Sequence, residues 1–98
     1  MQRGEIWSYT PQDSPRRPLV VLLSSDGINQ SRRPWLLGVP LGADDPSDIL
    51  AVRVEGHGWV SAGHLSRYYR GWLRERVGAV DHATVQQLDA ALRAALDL

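Results

Sequence analysis

The chain has 98 residues, enough for one domain (1–98) with one modest hydrophobic core. It contains no cysteine, which excludes a disulfide framework and a thiolate metal site and fits a reducing, cytoplasmic setting. Its 11 basic residues, all arginine, balance 11 acidic ones; bulk charge therefore does not drive nucleic-acid binding, and any basic groove has to be local.

Residues 1–5 carry no apolar run, so a signal peptide is not expected. The longest apolar stretch, 19–23, is too short to span a membrane. Residues 4–9 read as a first strand, with Ile6 and Ser8 on one face and Trp7 and Tyr9 on the other. The turn-rich segment 10–15 is a loop. Residues 18–23 form a near-continuous apolar run, expected to be a central strand buried on both faces, with Pro18 at its first position. The polar segment 24–31 suits a helical turn capped by Ser25 or Asp26. A third strand is expected over 35–41, then an acidic turn over 42–47. Residues 49–54 alternate, with Leu50, Val52 and Val54 on one face. Glu55-Gly56-His57-Gly58 reads as a hairpin turn and 59–65 as the returning strand. A tight turn and a short strand over 76–80 follow. Asp81 caps a final helix whose Val85, Leu88, Leu92 and Ala95 make one apolar stripe. Short strands, close turns and one terminal helix predict a mainly β fold curled into a small barrel.

Several motifs recur in one order. Arg3-Gly4-Glu5-Ile6-Trp7 opens the chain. Arg16-Arg17-Pro18-Leu19-Val20-Val21 precedes Ser24-Ser25-Asp26 and Asn29. Gly38-Val39-Pro40-Leu41, Gly58 to Leu65, Val77-Gly78-Ala79-Val80 and the Leu92 to Leu98 ending follow. In this order they resemble the MazF/PemK toxins across essentially the whole chain. The resemblance implies an SH3-like barrel with a C-terminal helix, shared with the CcdB-type gyrase poisons. It also implies a homodimer, a cognate antitoxin protein as partner, and cleavage of single-stranded RNA with no metal or other cofactor, leaving 2′,3′-cyclic phosphate and 5′-OH ends.

Carried over residue by residue, Arg17 matches the family's catalytic arginine, whose planar guanidinium can hold a phosphate through two parallel hydrogen bonds. The family's Thr or Ser after the Val-Pro pair is Gly42 here, so that hydroxyl is missing. His64 stands where the family usually has an amide side chain; an imidazole there can give or take a proton near neutral pH. Arg16, Arg32, Arg33 and Arg67, with Trp59 and Tyr68, are candidate RNA contacts, because bases stack on aromatic rings while guanidinium groups hold phosphates. Arg70, Arg74 and Arg76 interleave with the same aromatic segment. The three histidines lack metal-ligand spacing. A non-catalytic member of the fold that acts by binding is the competing expectation, and Gly42 favours it.

Overall fold

In the computed structural model, residues 1–11 and 18–97 are described; the Arg16 and Arg17 candidates therefore lie outside the described residues. The chain runs through β1 (Glu5–Tyr9), β2 (Leu19–Leu22), α1 (Asp26–Asn29), β3 (Trp35–Pro40), β4 (Ala51–Val54), β5 (Gly58–Ser61), β6 (Ser66–Tyr69), β7 (Leu73–Ala79) and α2 (His82–Leu96). Five strands make one antiparallel sheet in the order β6–β3–β2–β1–β7, and β4 and β5 pair as a separate hairpin.

The alternation in the first two strands sets two cores on opposite faces of the sheet. Ile6 stands opposite Val21 and Trp7 opposite Val20. Ile6, Val21, Leu23 and Val39 join Val52, Val54 and Val60 of the hairpin and Leu88 of α2 in one cluster. Val20, Leu22, Leu36 and Leu73 form the other, with Trp7, Tyr9, Ile28 and Tyr68 packed against it. This is why the second strand reads as continuously apolar: both of its faces are covered.

Gly42 joins the two sheets. Its N–H donates to the Trp59 carbonyl, and the Trp59 N–H donates back to the Gly42 carbonyl, both at 2.8 Å. The chain leaving β3 thus docks onto β5. One residue earlier, Leu41 N–H donates to the Leu19 carbonyl at 2.8 Å, so the start of β2 and the end of β3 lie side by side.

The helix is as expected. Asp81 accepts the Thr84 N–H at 2.7 Å and caps α2. Leu88 is fully buried, a burial that contributes roughly 2–3 kcal/mol. The apolar stripe ends on Ala91 and Leu92; Ala95, expected to belong to it, is exposed. α2 packs on β4 and on a single 3-10 turn at Ala62–His64.

That turn corrects one expectation. The strand predicted over 59–65 stops at Ser61. Ser61 caps the turn by accepting the Gly63 N–H at 3.2 Å, and Ala62 N–H donates to the Leu50 carbonyl at 3.1 Å, so local bonds replace ladder bonds. The region beyond is also more regular than expected: β6 pairs with β3, and β7 begins at Leu73 rather than Arg76. Both are edge strands, and charged or half-exposed side chains cover them in place of an apolar alternation.

Candidate active site and nucleic-acid interface

A cavity of about 140 Å³ opens where β3 ends and β5 begins. Pro40, Leu41, Gly42, Asp44, Pro46, Trp59, Val60, Ser61 and His64 line it. Three residues singled out in the sequence, Gly42, Trp59 and His64, therefore meet at one place, although 17 to 22 positions separate the first from the other two. The Gly42–Trp59 pairing brings the first two together, and the Ala62–His64 turn delivers the third.

His64 is exposed, but its turn is anchored on both sides by buried Ala62 and half-buried Leu65. Beneath it, Asp48 accepts the Leu50 N–H and the Ser61 hydroxyl, each at 2.8 Å. These two bonds hold the Asp48 carboxyl below the usual carboxylate range, the Leu50 bond most strongly; the charge of nearby His64 adds to the effect and desolvation opposes it. Ser61, itself buried, thus has its hydrogen committed to Asp48 and a lone pair committed to Gly63. Asp48 and Ser61 were not among the sequence candidates. No spacing announced them, because their pairing depends on the β4–β5 hairpin folding back.

The arginine and aromatic candidates gather elsewhere. A shallow groove of about 320 Å³ is lined by Ile28, Arg33, Pro34, Trp35, Leu36, Leu37 and Arg67. In the β3–β6 ladder Trp35 faces Tyr69 and Leu37 faces Arg67, and the Arg67 guanidinium lies 5.0 Å from the centre of the exposed Trp35 ring, within cation–π range. Arg32 is exposed beside Arg33. Tyr68 is turned inward, edge-on to Tyr9 at 4.9 Å; burial, with Tyr9 nearby, pushes its hydroxyl up to about 12.

Two arginines of the aromatic segment are used by the fold. Arg70 donates to the carbonyls of Arg33, Asn29 and Ile28 at 2.8, 2.6 and 3.0 Å and so closes the C-terminal end of α1. Arg76 donates to Glu5 at 2.7 Å. Burial would raise the Glu5 carboxyl, but the Gln2 N–H, the Trp7 indole and Arg76 together hold it below its usual range. Among the described residues, no three His, Asp or Glu side chains converge to hold a metal ion.

No family model and no curated protein matches the sequence. The fold, however, is matched among solved structures. An endoribonuclease in complex with its cognate antitoxin from a mycobacterial species superposes with a TM-score of 0.87 at 20% identity, covering 100% of this chain and 96% of that one. A further mycobacterial endoribonuclease gives 0.85 at 20% identity, covering 100% and 92%. A MazE–MazF complex from Deinococcus radiodurans gives 0.83 at 18%, covering 100% and 97%. The architecture of this chain, along its whole length, is that of the MazF-type toxins.

Proposed function

We propose that this protein is the toxin of a toxin–antitoxin pair and a metal-independent endoribonuclease acting on single-stranded RNA in the cytoplasm, as a homodimer restrained by an antitoxin. The observation that carries the proposal is the full-length likeness to endoribonuclease toxins, two of them bound to antitoxin, together with the meeting of Gly42, Trp59 and His64 in one cavity.

In the reaction we propose, the ribose 2′-oxygen attacks the adjacent phosphorus and loses its proton to a base. The bond from phosphorus to the 5′-oxygen breaks, and that oxygen takes up a proton. The products are a 2′,3′-cyclic phosphate and a 5′-OH. Arg17, which the sequence joins directly to Pro18, neutralises the crowded phosphate. His64 moves the protons and compensates for the hydroxyl that Gly42 lacks. The Asp48–Ser61–Gly63 bonds hold its turn in position.

The test is cleavage of a long unstructured RNA in excess EDTA by the wild type, Arg17→Ala and His64→Gln. The wild type is expected to leave cyclic-phosphate ends, and each variant to lose on the order of 10²-fold or more in rate. A folded wild type that cleaves nothing would overturn the enzyme reading in favour of a toxin-fold protein that acts by binding. Gly42, and Asp44 among the residues that line the cavity, are the observations that favour that second reading.

A further inference from the structure

Gly42 carries no side chain, yet the fold does not ask for a glycine there. Its φ is not among the positive ones, unlike those of Gly4, Gly56 and Gly58. A Cβ added to it would come no nearer than 4.0 Å to anything beyond its chain neighbours, and what it first meets are the Asp44 and Trp59 carbonyl oxygens. Neither backbone angle nor packing requires the missing side chain; what it leaves is open space.

Strand register sets what borders that space. Gly42 lies directly opposite Trp59 and exchanges both backbone hydrogen bonds with it. On its other side Trp59 lies opposite Arg53. Residues opposite one another in antiparallel strands put their side chains on one face, with about 5 Å between Cβ atoms. Val52, Val54 and Val60, which alternate with Arg53 and Trp59, belong to the core, so the shared face is the outer one. It carries a row three positions wide: bare backbone at Gly42, a half-buried indole at Trp59 and an exposed guanidinium at Arg53. Among the described residues Arg53 is in no ion pair. At its Gly42 end the row reaches the cavity that His64 also lines. An aromatic ring stacks an unpaired base of any identity, and an arginine beside it holds the phosphate. A side chain at position 42 would stand beside the indole, where a stacked base has to extend.

We infer that the Gly42–Trp59–Arg53 row is a nucleotide-binding ledge for single-stranded RNA. Trp59 stacks one base, the missing side chain of Gly42 gives that base room, and Arg53 holds an adjacent phosphate. The inference rests on the reading of the protein as a binder of single-stranded RNA, but not on its being an active nuclease. The glycine that deprives the site of a hydroxyl is, on this account, what admits the base. Stacking does not choose among bases, so the ledge adds affinity for every sequence.

The experiment is fluorescence anisotropy with a labelled, single-stranded 2′-O-methyl RNA of mixed sequence, over a range of salt. Its blocked 2′-oxygens cannot attack, so binding is read without cleavage. Trp59→Leu keeps apolar bulk and loses the ring; it is expected to weaken binding about tenfold with the salt slope unchanged, and Trp59→Phe to recover most of that loss. Arg53→Ala is expected to lower the slope of log affinity against log salt by about 0.7. Arg93→Ala removes an exposed arginine of α2 and is expected to leave the slope as it is. Gly42→Thr restores the hydroxyl that the family pattern has and is nevertheless expected to bind several-fold more weakly. Gly42→Thr and Arg53→Ala alter outer positions, so they carry the test even where loss of the Trp59 ring unfolds the hairpin. Equal or tighter binding by Gly42→Thr would overturn the inference, as would a slope change in Arg53→Ala no larger than in Arg93→Ala, or full affinity in Trp59→Leu. In each of these outcomes the wild type still binds, and the RNA reading stands without the ledge. A folded wild type that binds no RNA would overturn both.

Discussion

Two concave regions share β3 and differ in the charge they offer. The groove at its Trp35 end carries Arg33 and Arg67 around an exposed indole. The cavity at its Pro40 end carries Asp44 and His64 and, among the described residues, no arginine. Six strand residues separate them by about 17 Å. A net charge of zero therefore conceals a division between a surface with arginines around an exposed indole and a pocket whose lining holds an acidic residue and a histidine. Substitutions on the two sides are therefore expected to have different signatures.

The largest effect is expected at the junction that forms the cavity. Gly58 has φ +123°, and a Cβ there would fall 2.2 Å from the Gly42 carbonyl oxygen. Gly58→Ala must break the Gly42–Trp59 pairing or strain the backbone, at a cost of about 3 kcal/mol. The opposite glycine is permissive: a Cβ at Gly42 meets nothing closer than 4.0 Å. Gly42→Ala is expected to stay within about 0.5 kcal/mol of the wild type. Urea unfolding of the two variants checks the pair, and equal losses would mean that the pairing does not hold the cavity's wall.

A smaller and more selective effect is expected in the groove. Arg67→Ala removes one guanidinium and its stacking on Trp35, worth about 0.5–1 kcal/mol at an exposed site. Binding of single-stranded RNA is expected to weaken alike for all sequences, and the slope of log affinity against log salt to fall by about 0.7. An unchanged slope would take Arg67 out of the backbone contact and leave the comparison between the two regions without its cationic side.

Much of this was legible in the sequence, for identifiable reasons. Continuous apolar character marked β2, alternation marked β4, and Asp81 with a period-3.6 stripe marked α2, because each reflects one local constraint. His64 and Gly42 stood out because the order of motifs set them against a family pattern. The strand β6 was hidden: Ser66-Arg67-Tyr68-Tyr69 shows no apolar alternation, and its pairing with β3 is what makes it a strand. The roles of Arg70 and Arg67 could not be told apart by type or spacing. One is consumed by carbonyls of Ile28, Asn29 and Arg33, the other lies over Trp35, and long-range packing alone decides which. The Asp48–Ser61 bond, 13 residues apart in sequence, was invisible for the same reason.

That bond supplies the smallest expected effect. The folded chain holds the Asp48 carboxyl below its ordinary value of 3.8, so folding favours the ionised form. The resulting stabilisation is complete above pH 3.8 and is lost as pH falls through the lowered value. Asp48→Asn removes the charge at every pH. Its melting temperature is therefore expected to lie slightly below that of the wild type at pH 7, and the gap is expected to close in acid below the lowered value. Salt is expected to leave most of the gap at pH 7 in place, since the Leu50 and Ser61 bonds that hold the carboxylate are short-range. A gap that persisted undiminished in strong acid would mean that the shape of the Asp48 side chain, and not its charge, keeps Ser61 and the His64 turn in place.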